Sequence, residues 1–271
     1  MQKQNIIFNL DDTLIECNKY FHLVNEQYAA LMKEWFPGIP LDTIKAKQVE
    51  YDLAVVDKNG LTVDHVPQSF MSAYGFFCKE TGRTAREEEV SRLEKLGYSV
   101  FTMPVEPLPH MYETLEELKE AGHELYLHTG GEEKNQWRKI SQLQLAAYFD
   151  NRVFISRHKD VEALAKIMDK TDFDPTITWM VGNSLRTDII PGLEQGIHVI
   201  YIPAPNEWHY NVVDVSVAPK GAFLTLNSLN QVPAAIREYI RGHSQAGLGE
   251  AVSGSGEAGW SATASTQEPG F

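Results

Sequence analysis

Ile6-Ile7-Phe8-Asn9-Leu10-Asp11-Asp12-Thr13-Leu14 joins a short apolar run to a cluster of acids and amides. The apolar run reads as a buried strand that ends abruptly. In an open α/β sheet, ligands bind beyond the carboxyl ends of the strands, so the polar cluster falls where a site would be. Carboxylates and a carboxamide crowded into a tight turn are costly unless a cation or phosphate chemistry uses them. The competing reading is a strand followed by an Asx-rich turn with no further role.

Working outward, the segment from about Glu16 to Met103 reads as helices. Tyr20, Leu23, Val24, Tyr28, Leu31 and Trp35 recur at helical spacing, and Pro37-Gly38 stops that helix. Further helices are expected over 41–56, 67–80 and 85–96, with Gly82 and Gly97 as stops. After them, strands and helices alternate. Strands are expected over 124–128, 152–155, 178–181, 198–202 and 222–226. Helices are expected over 112–121, 132–146, 159–168, 189–195 and 232–241. This order argues an α/β fold, a doubly wound parallel sheet, with an all-helical unit inserted after the first strand. The expected division is 1–15 plus 104–242 for the sheet and 16–103 for the insert. The Gly-, Ser-, Ala- and Thr-rich 243–271 has too few apolar residues for a core and reads as a disordered tail.

The chain has 271 residues, 43% of them hydrophobic, an ordinary share for a globular protein. A net charge of −13 argues against a broad nucleic-acid or anionic-membrane surface. Two cysteines, Cys17 and Cys78, carry no metal spacing and fit a reducing compartment. The N-terminus runs directly into a strand without a secretory pattern, and no apolar stretch reaches the length of a span, so a cytoplasmic location is expected.

Three later strand ends carry polar residues of the same character. Thr129-Gly130-Gly131 follows Leu125-Tyr126-Leu127-His128, and offers a hydroxyl and accessible backbone N–H groups to an anion. Lys159 follows Val153-Phe154-Ile155, with Lys166 as a more distant competitor. Gly182-Asn183-Ser184, with Thr187-Asp188, follows Thr178-Trp179-Met180-Val181. Singly these read as a helix cap, a solvated lysine and a first-turn helix acid.

Taken in order, the four strand ends resemble the four motifs of the haloacid dehalogenase superfamily. Motif I is an apolar strand followed by Asp-x-Asp-x-Thr/Val, matched here by Asn9, Asp11 and Thr13. Thr129 resembles motif II, Lys159 motif III, and Gly182-Asn183 with Asp188 motif IV. The resemblance covers about 4–205. It implies a Mg²⁺-dependent phosphatase acting on a small phosphorylated substrate, with an aspartyl-phosphate intermediate and an insert that caps the site. It places the nucleophile at position 9, the general acid–base at Asp11, and phosphate contacts at Thr129, Gly130 and Lys159. It places the metal at Asn9, Asp11 and Asp188, with Asn183 as the weaker position beside metal-bound water. Asp11 favours a phosphatase over a dehalogenase, because an alkoxide needs a proton and a halide does not.

The departure is at the nucleophile itself, where the family's Asp is Asn9. An amide is a poor nucleophile and a neutral metal ligand. Asn9 is either a replacement of an ordinary Asp, leaving a phosphatase that holds substrate without reacting, or the native residue of a phospholigand-binding pseudoenzyme. Retention of Asp11, Thr129, Lys159 and Asp188 favours the first. Phe21, His22, Tyr74 and Phe77 are candidates for the cap face, with helical core packing as the competing role. Arg157, His158 and Arg186 flank the motifs and are candidates for a second anionic group. Trp208-His209-Tyr210 is assigned no role.

Overall fold

β1 (Asn5–Phe8) is flanked on both sides by strands that run parallel to it. The computed structural model describes residues 2–246. After β1 the chain folds four helices, α1 (Asn18–Trp35), α2 (Leu41–Asn59), α3 (His65–Thr81) and α4 (Glu87–Ser99). It then returns through α5 (Met111–Glu120) to β2 (Glu124–Gly130), α6 (Glu133–Gln142), α7 (Ala146–Phe149) and β3 (Val153–Ser156). α8 (Val161–Thr171), β4 (Thr178–Gly182), α9 (Ile190–Glu194), β5 (His198–Tyr201), β6 (Phe223–Thr225) and α10 (Val232–Ala246) complete it.

The sheet order is β3-β2-β1-β4-β5-β6, all parallel. The winding direction reverses between β1 and β4, which opens a crevice at their carboxyl ends. Strand alternation sends Ile6 and Phe8 to one face, against α5, α6, α7 and α10, and Ile7 to the other, against α8 and α9. Both faces are therefore covered, as a parallel sheet requires. Each fully buried Ile or Phe contributes roughly 1.5–3 kcal/mol.

The insert has its own apolar cluster, in which Tyr28 stacks on Phe70 at 4.2 Å. It joins the sheet through two adjacent crossings. Glu16 N–H donates to the Glu106 carbonyl at 2.9 Å, and Leu108 N–H to the Leu14 carbonyl at 2.8 Å.

Several boundaries differ from expectation for identifiable reasons. Gly97 does not stop α4, which runs on to Ser99. A Cβ on Gly97 would lie 2.6 Å from Pro67 Cα, so this glycine lets α4 lie directly on α3. Thr129 and Gly130 lie inside β2 because they pair with Ile155 and Ser156 of β3. The helix expected over 132–146 breaks at Gln144, where φ is +52°, into α6 and α7. Lys159 precedes α8, whose N-cap is Asp160, accepting from Ala163 N at 2.9 Å. Residues 243–246, expected to open the tail, continue α10; the rest of that expectation, 247–271, lies outside the described residues. Among the described residues no helix is long and apolar enough to cross a membrane.

Candidate active site

The turn after β1 builds the first wall. Asn9 N–H donates to the Val181 carbonyl at 2.9 Å, which extends the β1–β4 pairing by one residue. Asp12 then takes φ +57°, and Leu14 N–H closes the turn on the Leu10 carbonyl at 2.9 Å. Asp12 Oδ1 accepts from Cys17 N at 3.0 Å and Asn18 N at 2.8 Å, which ties the turn to the start of α1. Burial pushes the Asp12 carboxyl up to about 7. Those two N–H groups oppose the rise, and the charges of Asp11 and Glu207 add to it.

The Asn9 side chain is buried and partnered at both ends. Its Oδ1 accepts from Lys159 Nζ at 2.8 Å. Its Nδ2 lies 2.7 Å from the Asp11 carbonyl oxygen, 2.9 Å from Asn183 Oδ1 and 3.2 Å from Thr13 Oγ1. Thr13 Oγ1 also donates to Asn183 Oδ1 at 3.1 Å. Lys159 Nζ makes an ion pair with Asp188, both residues being buried. The second Asp188 oxygen accepts from Ser184 N at 3.0 Å. Asn183 is held from behind by Glu207, whose oxygens accept from its Nδ2 at 3.1 and 3.2 Å.

Asp11 points the other way, toward α6. Its Oδ1 pairs with Lys139 Nζ at 2.7 Å and its Oδ2 accepts from Gln136 Nε2 at 2.9 Å. Burial alone would raise this carboxyl; the adjacent Lys139 charge and the two hydrogen bonds outweigh it and hold Asp11 below the usual carboxylate range. For Lys139 burial likewise opposes the charge, and Asp11 overrides it to raise the ammonium. Burial, then the Asp11 charge, drives the Cys17 thiol well up.

A cavity of about 120 Å³ opens between these walls and the insert. Of the residues expected from the sequence, Asn9, Asp11, Gly130, Lys159 and Asn183 line it, as does Phe21. Thr129 and Asp188 do not. Both have no exposed surface. Thr129 Oγ1 accepts from Gln136 Nε2 at 2.5 Å, and both Asp188 oxygens are engaged by Lys159 and Ser184. Asn183 rather than Asp188 thus lies directly against Asn9. Tyr74 and Phe77 pack in the insert core, and neither His22 nor Arg157, His158 or Arg186 lines the cavity.

Sequence reasoning missed Gln136, Lys139, Asp52, His65 and Glu207, and left Trp208 without a role. Gln136 and Lys139 are three residues apart on one face of α6, a pairing that helix periodicity could have placed opposite Asp11. Asp52 and His65 belong to different helices, so no local pattern joins them.

A family model of haloacid dehalogenase-like hydrolases matches residues 4–196. A glyceraldehyde 3-phosphate phosphatase from Methanothermobacter thermautotrophicus is 23% identical over 205 residues, covering 73% of this chain and 84% of that protein. The crystal structure of a haloacid dehalogenase-like hydrolase from Xanthomonas campestris superposes with a TM-score of 0.72 at 21% identity, covering 90% of this chain and 94% of that one. The magnesium-bound HAD-hydrolase YfnB from Bacillus subtilis superposes with a TM-score of 0.58 at 18% identity, covering 87% and 99%. At these identities the structural likeness shows the fold.

Proposed function

The chain belongs to the haloacid dehalogenase-like hydrolases, and on that premise we propose that it takes a small phosphate monoester at the carboxyl edge of its sheet, with Asn9 in the nucleophile position. The insert, 16–103, acts as the cap, and 1–15 with 104–242 as the catalytic body. The observation that carries this reading is Lys159, whose ammonium contacts both Asn9 Oδ1 and Asp188 at the floor of the cavity, beside Gly130. A buried ammonium there offsets phosphoryl charge, which is most of what phosphoryl transfer asks of a protein. The glyceraldehyde 3-phosphate phosphatase among the relatives supports the same class of reaction.

Asp11 fits a base better than an acid in this chain, because Lys139 and Gln136 keep it ionised. Thr129 supports the site through Gln136, which it shares with Asp11.

The magnesium ion that the family implies does not fit this donor set. Mg²⁺ takes oxygen ligands in octahedral geometry, including one or two carboxylates. The oxygens that converge beside Asn9, the Asp11 carbonyl and Asn183 Oδ1, already face the Asn9 NH₂ group. The nearby carboxylates are committed elsewhere: Asp11 to Lys139, Asp12 to the start of α1, Asp188 to Lys159 and Glu207 to Asn183. Among the described residues no group of three His, Cys, Asp or Glu is arranged to hold a metal ion. The amide of Asn9 therefore does what a cation would do for those oxygens, and magnesium is proposed only for the Asn9→Asp form.

The chain as written holds the ester without cleaving it. Phosphate release from a panel of small esters, with and without Mg²⁺, tests this. The Asn9→Asp chain should release phosphate on the order of a thousandfold faster than the Asn9 chain, and only with Mg²⁺. The full partnering of the Asn9 amide and the neutral Asn183 favour a second reading, a native phospholigand-binding protein. That reading takes over if neither form turns over any ester while both bind one.

A further inference from the structure

At the amino edge of the sheet, away from the site, His198 opens β5 with both ring nitrogens committed to backbone. Its Nε2 lies 2.9 Å from the Thr176 carbonyl oxygen, and Ala222 N–H donates to its Nδ1 at 2.9 Å. A carbonyl only accepts and an amide N–H only donates, so Nε2 carries the hydrogen, Nδ1 is bare and the ring is neutral. The ring cannot sidestep. It is 4% exposed, with Trp179 at 4.5 Å and Tyr239 at 4.6 Å, and a Cβ on Gly221 would come within 2.5 Å of Nδ1. The charged or titratable groups around it are Tyr239 and His243 of α10, which stack at 3.9 Å, and Lys220 ahead of β6. They line a cavity together with His198, and among the described residues no carboxylate does, so an imidazolium would meet no counter-charge there. Burial lowers the ring below its ordinary 6.5; the Thr176 carbonyl opposes that and the His243 charge adds to it.

What His198 holds matters to the rest of the molecule. The loop from β5 to β6 carries Glu207, which accepts from Asn183, and Trp208, which donates to Asp52. Among the described residues, 213–221 make no backbone–backbone hydrogen bond. The chain is next pinned at Ala222, whose N–H goes to His198 and whose carbonyl accepts from Val199 N–H at 2.8 Å. β6 follows, an edge strand of three residues. We propose that His198 is an acid-released clasp on this loop and on β6. The neutral ring fastens Ala222. The protonated ring carries a hydrogen on each nitrogen, turns a donor toward Ala222 N–H and lets 213–225 go. The folded edge admits only the neutral ring, so its contribution to stability is present above the ordinary histidine value and is lost as pH falls below it. The clasp does not rest on the phosphate-site reading.

Hydrogen exchange of the whole chain tests this, read on peptides covering 213–225 at about pH 7.5 and about pH 5 and corrected for the intrinsic pH dependence of exchange. Protection of 213–225 should fall about tenfold on acidification. Asp12, pushed up to about 7, and His123, whose Nδ1 accepts from Gln4 N–H at 3.2 Å, also respond to pH. Both are kept in every variant, so the difference between chains reads His198. In His198→Asn the side-chain oxygen can accept from Ala222 N–H and the group carries no charge, so protection should stay high at both pH values. His198→Phe keeps a ring and loses both hydrogen bonds, so protection should be low at both. His243→Gln should keep the fall. Equal protection of the unaltered chain at the two pH values overturns the clasp. So does a fall that persists in His198→Asn, or one that His243→Gln abolishes. If His198→Phe does not fold, the unaltered chain and His198→Asn still decide.

Discussion

The two walls of the cavity are built on opposite principles. On the sheet wall the side-chain polar atoms of Asn9, Asp188 and Lys159 find partners within the chain. On the insert side His65 sits among aromatic rings and pairs with Asp52, and Asn18 Nδ2 is buried without a hydrogen-bond partner among the described residues. The sheet wall is held by strand ends, where the backbone fixes each position and charges can be paired in a buried network. The insert wall is carried by helices whose residues meet only when the insert folds. The difference teaches that strand ends lock polar groups into a network in a way that packed helices of the insert do not.

The largest test of this contrast is the Lys159–Asp188 pair. Removing one partner of a buried ion pair strands the other, so Lys159→Met should lower stability by about 3–5 kcal/mol in urea unfolding. Adding Asp188→Leu should recover much of the loss. If Lys159→Met alone costs nothing, the sheet wall is not the locked network described.

Next in size is Gly97. Alanine would gain about 1 kcal/mol of helix propensity. Its Cβ, however, would lie 2.6 Å from Pro67 Cα, against backbone that cannot swing away. Such overpacking costs about 1–3 kcal/mol, and a lowered melting temperature with unchanged affinity for inorganic phosphate is expected. A large change in phosphate affinity would show that the walls are not independent.

The smallest effect is the share of the acid dependence that the insert carries. Burial would raise the Glu89 carboxyl, but hydrogen bonds from Arg83 and Tyr74 and the Arg83 charge hold it below its ordinary 4.5. A carboxyl depressed in the folded state contributes stability above the unfolded pKa and loses it as pH falls through the folded one. Melting temperature should therefore drop as pH falls below about 4.5, this group contributing to the loss. Glu89→Gln should flatten that slope. An unchanged slope would assign acid sensitivity to the sheet wall instead.

Much of the sheet wall was legible in the chain because each of its residues stands at the end of an apolar run. Asn9, Gly130, Lys159 and Asn183 stand at strand ends that the resemblance joins into one site, and all four meet at the cavity. What local pattern could not decide was orientation. Asp188 follows β4 as Asn183 does, yet it turns away to Lys159. Asp11 turns toward α6, whose Gln136 and Lys139 follow it by more than 120 residues. The insert wall was nearly invisible for the same reason. Asp52, His65 and Trp208 come from α2, α3 and the loop after β5, and only tertiary packing makes them one unit. Phe21 was placed by position, while Tyr74 and Phe77 followed the same helical periodicity into the core.

The sheet order also bears on how the chain is made. β1 leaves the ribosome well before one of its neighbours, β4, which lies 173 residues later at the Asn5–Thr178 pairing. At roughly 5–20 residues per second, synthesis of that intervening stretch takes about ten to thirty seconds. Throughout that interval Ile6, Ile7 and Phe8 lack their β4 partners, while the insert, whose contacts are closer in sequence, is free to fold. The four helices of the insert can thus pack before the sheet closes, the residue at position 9 enters its network only when Asn183 has been made, and Trp208 reaches Asp52 later still.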